Sequence, residues 1–170
     1  DTNGAKSEAK IIVTANESND LFKQESVADT LADQLKAMLA NLNVCSQQGM
    51  VDMFDATIGA TTVLMPFGGK YQLTPAQVSV QKFPLIDGQT DAASIASFGY
   101  DPYLSSKSTF HGAYYAVYES VAKIVAAGGD YQKIRFSFQE YFEKLGNDPH
   151  KWAKPFNALL GAYKAQQELE

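Results

Sequence analysis

Glu119 and Lys123 are the residues whose types and spacing first suggest chemistry. They lie four positions apart within Thr109 to Asp130 (TFHGAYYAVYESVAKIVAAGGD), with Glu before Lys, the order that favours an ion pair on one helix face. If that face is covered, the pair belongs to a protein interface or a ligand cleft. If it is open, it is an ordinary surface ion pair worth about 0.3–0.5 kcal/mol. A second carboxylate, Asp91, opens the small-residue stretch Thr90 to Tyr100 (TDAASIASFGY). Small residues in a strand let a ligand or another backbone come close. The remaining reactive types carry less. His111 and His150 are far apart, neither has a metal-ligand spacing, and both read as structural or surface residues. Gly68-Gly69-Lys70 resembles the end of a phosphate loop but lacks the GxxxxGK[ST] spacing.

The element that must position Glu119 and Lys123 is a helix. Phe110, Ala113, Tyr114, Val117, Val121, Ile124 and Val125 recur at helical spacing, and Gly128-Gly129 ends the run. The opposite face carries Tyr115, Ala116, Ala122 and Ala126 where a water-facing helix would carry charges, so cover is expected on both sides. Around this helix the chain reads in order. Lys10 to Ala15 is a short strand, and Asn16 to Asp20 is turn chemistry. Val27 to Asn43 is an amphipathic helix capped by Ser26 or Asp29, with Val27, Leu31, Leu35, Met38, Leu39 and Leu42 on one face. Val44 to Gly59 has no clean period. Ala60 to Pro66 is a strand, Phe67 to Tyr71 a glycine turn, and Ala76 to Pro84 and Thr90 to Tyr100 are strands joined by the Asp87-Gly88 turn. Asp101 to Ser108 is a loop. Tyr131 to Phe138 alternates Ile134, Phe136 and Phe138 against Lys133, Arg135 and Ser137 and reads as a strand. A turn at Gly146 to Pro149 leads to a helix from Pro155 to Leu169, with Phe156, Leu159, Leu160 and Tyr163 in phase. The expected fold is therefore α+β, a mostly antiparallel sheet with two helices on one face and an N-terminal helical extension. After the β-β-α-β-α order from Gln77 a further strand is expected. Its lack points either to a piece of a longer chain or to a complete small domain with a helical end.

Composition narrows the function classes. The chain has 170 residues, 45% hydrophobic and 19% charged, which suffices for one core and a small appendage. With net charge −5 and no basic run, nucleic acid is not an expected partner. No apolar stretch reaches membrane-spanning length and no signal-peptide pattern opens the sequence, so no membrane partner is expected. The single cysteine, Cys45, excludes an internal disulfide and fits a reducing compartment, and a cytoplasmic location is expected.

The strings VLMPFGGKYQLTPAQ, DPYLSSKSTFHGAYYAVYESVAKIVAAGGDY and FQEYFEKLGNDPHKWAKP closely resemble the long bacterial form of phosphoribosylformylglycinamidine synthase. NLNVCSQQGMVDMFDATIGATTVLMP resembles the linker preceding the same module, and the likeness runs from about Leu42 to Glu170. The resemblance implies a ligase of purine biosynthesis. It converts formylglycinamide ribonucleotide, glutamine and ATP into formylglycinamidine ribonucleotide, glutamate, ADP and phosphate. A glutaminase domain releases the ammonia, and the synthase part holds two tandem copies of an AIR-synthase-like domain pair. On this reading residues 1–50 are the tail of the first copy with a linker helix. Residues 51–170 are the N-terminal-type domain of the second copy, ending before a strand of the type GGKDS.

The resemblance also assigns roles. TDAASIAS aligns with a strand whose aspartate binds the metal that bridges to nucleotide phosphates, which makes Asp91 a Mg²⁺ ligand and Thr90 a nucleotide contact. AVYESVAK aligns with AVGEALTN, in which Glu and Asn are further ligands, which makes Glu119 a ligand and puts Lys123 at the asparagine position. A protonated lysine has no lone pair for a cation, but its point charge suits a phosphate. The implied cofactors are ATP and Mg²⁺. The implied partners are a small-molecule nucleotide and the remaining domains of the synthase, glutaminase included, with the isolated chain inactive. Self-association is expected through an unpaired sheet edge or the helix face around Tyr115. The rival readings are a non-catalytic interaction module with a sheet-based surface and a small-molecule binding domain.

Overall fold

Two Asp-Pro steps open helices. The Asp148 carboxylate accepts from the backbone N–H groups of His150 and Lys151, and Pro149 takes the first helical position, where its missing N–H costs nothing. Asp101 does the same for Tyr103 and Leu104 ahead of Pro102. The computed structural model describes residues 10–15, 21, 23, 28–54 and 60–170. Within these the architecture is α+β: helices α1 (Leu31–Ala40), α2 (Gln48–Val51), α3 (Pro102–Lys107), α4 (Thr109–Ala126) and α5 (Pro149–Glu168), with strands β1 (Phe67–Gly68), β2 (Thr74–Pro75), β3 (Ser79–Lys82) and β4 (Ala93–Ala96). The strands form two antiparallel two-stranded sheets, β1–β2 and β3–β4. No helix among the described residues is long and apolar enough to cross a membrane.

Several expectations change. Residues 101–108 hold helix α3 instead of a loop, because Asp101 caps it. The last helix starts at Pro149 and contains Pro155. Residues 131–138 form no strand. Asp130 caps Gln132 and winds Tyr131–Lys133 into a 3-10 turn, and residues 134–145 then run without helix, turn or bend. Residues 10–15 form no strand either, although Thr14 donates its N–H to the Pro149 carbonyl at 3.2 Å. The expected strand at 60–66 is reduced to a single bridge from Thr62 to Gln81. α1 is shorter than Val27 to Asn43 and is capped by Thr30, whose hydroxyl oxygen accepts from the Asp33 N–H. The expected turn at 16–20, the Ser26 cap and the helix start at Val27 lie outside the described residues.

Contacts divide the chain into two compact units. One holds the described parts of Asp1–Leu21 with Phe98–Ala122 and Asp130–Glu170; the other holds the described parts of Phe22–Ser97 with Lys123–Gly129. In the second unit β3 and β4 pair Val80 with Ile95 and Lys82 with Ala93, and Val80 is buried. Gly128, at φ +89°, ends α4: its N–H bonds to Val125 and that of Gly129 to Ile124, which is a Schellman closure. α1 in this unit buries none of its residues, and Leu31, Leu35, Met38 and Leu39 are exposed.

The first unit is built on α4 and α5. Val117 (2% exposed) and Val121 pack with Ala162 and Ala165, and Ala113, Tyr114, Tyr118, Ile134 and Leu169 surround them. α5 turns its small side inward. Its buried residues are Ala153, Ala158, Gly161, Ala162 and Ala165, whereas the expected core stripe of Phe156, Leu159, Leu160 and Tyr163 is exposed. The reason is distance. A Cβ at Gly161 would lie 2.1 Å from the Phe110 carbonyl oxygen, so the backbones of α4 and α5 meet with no room for a large side chain. A Cβ at Gly112 would likewise lie 2.4 Å from the Ser105 hydroxyl of α3.

Candidate functional site

α4 presents Glu119 beside the segment that enters α3. The backbone N–H of Tyr100 donates to Glu119 Oε2 at 3.1 Å. That contact depends on Gly99, whose added Cβ would stand 2.0 Å from the Ala116 carbonyl oxygen. The second face of α4, rich in small residues, is thus met by backbone, as small residues permit. Asp101, Leu104, Tyr115, Tyr118, Glu119 and Ala122 line an open depression here, with a volume of about 500 Å³. Two carboxylates and two phenol rings converge on it. Asp101 Oδ1 is already occupied by the Tyr103 and Leu104 N–H groups, so its first task is to cap α3.

Thr90 and Asp91 stand in the other unit, just before β4. Thr90 Oγ1 accepts from the Ala92 N–H at 3.1 Å and fixes the turn into the strand. Asp91 is fully solvent-exposed, and its Oδ1 meets the Lys82 ammonium at 3.1 Å across the β3–β4 pair. Lys123 is half-buried in the last turn of α4, one helical turn after Glu119. Asp91 in one unit and Glu119 in the other each carry carboxylate oxygens, the donor type that Mg²⁺ takes. Lys82 partly neutralises the first of these. Among the described residues, no three His, Cys, Asp or Glu side chains gather as a metal-holding group.

A third arrangement, which no single residue type signals, lies in the first unit. Tyr114 and Tyr118, four apart on α4, both donate to Glu168 Oε2 near the end of α5, and Lys164 bonds the other oxygen at 3.0 Å. The phenols lie side by side on one helix face, with ring centroids 5.0 Å apart and planes tilted by 43°. A carboxylate in the last turn opposes the helix dipole. The Tyr114 hydroxyl, then Lys164 and Tyr118, offset that and hold the Glu168 carboxyl down at about 2. The same bond pushes the Tyr114 phenol well above its ordinary value. The signal in the sequence was two i, i+4 pairs, Tyr114/Tyr118 and Lys164/Glu168, on separate helices. His111 also has a local role: its Nδ1 lies 2.8 Å from Ser108 Oγ, and that oxygen accepts the His111 N–H at the start of α4.

No known protein family, curated protein or solved structure matches the chain.

Proposed function

We propose that this chain is part of an ATP-dependent, glutamine-using ligase that makes formylglycinamidine ribonucleotide. In that enzyme it serves as the N-terminal-type domain of the second AIR-synthase-like copy, residues 51–170, preceded by the tail of the first copy in residues 1–50. The observation that carries the reading is the resemblance of long, specific strings on both sides of the β3–β4 pair, including DPYLSSKSTFHGAYYAVYESVAK around Glu119. In this reading Asp91 and Glu119 are Mg²⁺ ligands, Thr90 contacts nucleotide, and Lys123 meets a phosphate directly, as a lysine point charge does. A Mg²⁺ held by Asp91 and Glu119 would supply charge neutralisation for phosphoryl oxygens. The chain's own part is to hold two carboxylates and a lysine for that purpose.

The exposed stripes on α1 (Leu31, Leu35, Met38) and on α5 (Phe156, Leu159, Leu160) support partner domains that cover them, the glutaminase-bearing remainder of the synthase being the proposed source. The same stripes favour the second reading, a non-catalytic interaction module. Titration with MgATP, followed by calorimetry and amide chemical shifts, tests the two. The ligase reading expects weak binding, with shifts confined to the neighbourhoods of Thr90, Asp91, Glu119 and Lys123, because Mg²⁺ with two carboxylates and waters gains little over bulk hydration. Catalytic turnover of ATP is not expected from the chain alone. Shifts elsewhere, or none at millimolar MgATP, would count for the interaction module, and low-micromolar affinity would show a self-contained nucleotide site.

A further inference from the structure

Residues 133–143 (KIRFSFQEYFE) keep the alternation of a strand without the partners of one. Among the described residues, the backbone N–H and carbonyl groups of 135–143 take part in no backbone hydrogen bond. Backbone polar groups left unpaired along an extended run are a template for another strand. The apolar residues of the run share one depression. Ile134, Phe136 and Phe138 line one depression with Val121 and Leu169, and the Phe136 and Phe138 rings stack at 5.8 Å as i, i+2 neighbours do. Arg135, which also reaches that depression, and Tyr141, 96% exposed, alternate with them in sequence.

The sequence of this run is complementary to itself when reversed. Laid antiparallel on a second copy with Phe138 on the two-fold axis, Lys133 falls opposite Glu143, Ile134 opposite Phe142, and Arg135 opposite Tyr141. Phe138 meets its own counterpart. The Lys133–Glu143 pair, made twice by the two-fold, is then opposite in sign, the aliphatic residue meets an aromatic, and the guanidinium meets a ring, which are favourable cross-strand neighbours, while Phe136 falls opposite Glu140 and Ser137 opposite Gln139. A shift by one residue sets the apolar face against the polar one, so this pattern selects its register. We propose that residues 133–143 are the docking edge for a second copy of this chain, forming a two-fold antiparallel β-pair centred on Phe138. A second copy follows from the charge pattern: a run with Lys133 at its basic end and Glu143 at its acidic end pairs these two charges when laid on its own reverse. In the single chain Lys133 meets Asp130 at 3.3 Å, and Glu143 meets Lys154. These exposed pairs are of the weak surface kind and leave the charges available for exchange.

The test uses the whole chain. Sedimentation velocity over a concentration series is expected to show a monomer–dimer equilibrium. Lys133→Glu places like charges opposite each other twice and weakens the dimer, by about tenfold if each repulsion is of the usual cross-strand size. The charge swap Lys133→Glu with Glu143→Lys restores it. On a Cys45→Ser background, Phe138→Cys is expected to form a disulfide dimer on oxidation, since self-paired residues lie within disulfide reach. Phe136→Cys is not, because its counterpart lies about 13 Å along the strand. Circular dichroism establishes that each variant is folded. A monomer at every concentration overturns the proposal. So does a dimer insensitive to Lys133→Glu, a swap that fails to restore, or oxidation of Phe136→Cys as readily as Phe138→Cys.

Discussion

Glu168 draws three donors onto one exposed carboxylate: the hydroxyls of Tyr114 and Tyr118 and the ammonium of Lys164. Its folded pKa, about 2, lies below the ordinary glutamate value. A depressed carboxylate contributes stability that is fully present above its unfolded pKa and is lost as the pH falls through the folded one. Acid should therefore weaken the α4–α5 contact between about pH 4.5 and 2. The Tyr114 end of the same bond has the opposite sign. Its raised phenol supports folding below its ordinary value of about 10 and ceases to do so as the pH climbs beyond it. Carboxyl-carbon NMR across an acid titration measures this directly. Replacing Tyr114 and Tyr118 by Phe is expected to move the Glu168 midpoint up toward the ordinary glutamate range, whereas Tyr115→Phe, on a neighbouring face of α4, leaves it unchanged. A Glu168 midpoint that stays near 2 in the double variant would show that Lys164 alone holds it.

At the scale of elements, helix starts and close approaches explain both the agreement and the errors. α4 was legible because apolar spacing and a Gly-Gly stop agree, and β3 and β4 were legible because each was bounded by turn residues. α3 and the true start of α5 carry the same sign, Asp followed by Pro, which reads equally well as a turn until the carboxylate is seen on two N–H groups. Asp148→Ala should therefore cost about 1 kcal/mol in urea unfolding. The 131–138 alternation misled because period two specifies which side chains share a face, not whether a neighbouring strand exists. α5 misled in another way. Large apolar residues in phase mark a core stripe only when the partner helix stands at ordinary distance, and here the Phe110 carbonyl sits against Gly161. Gly161→Ala would raise helix propensity by about 1 kcal/mol in an exposed helix. In this contact it is expected to destabilise by about 1–3 kcal/mol, as overpacking does, read from the denaturation midpoint. Glu119 and Lys123 lie on the helix the sequence indicates, whereas Thr90 and Asp91 stand just before β4 instead of inside it, and the ion pair of Asp91 with Lys82 and the Tyr100 N–H on Glu119 come from folding across distant positions.

Across the whole molecule, stability is uneven. α1 is ten residues long and buries none of them, below the length at which an isolated helix holds in water, whereas α4 and α5 contain most of the buried positions. Hydrogen exchange should show α1 amides with little protection and those of Val117 and Val121 among the slowest. Slow exchange throughout α1 would mean that its apolar face is covered in solution. The buried face of α5 has a further consequence for how this chain can vary. Its interior positions are alanine and glycine, so truncating mutations have almost nothing to remove, while a methyl added at Gly161 meets the Phe110 carbonyl. In most protein interiors alanine substitution is the damaging change. Along α5 the tolerance is inverted. The tightly buried inward positions leave little room for growth, most plainly at Gly161, while the bulky outward residues are exposed, so the limit on the inner face is steric and does not depend on any activity.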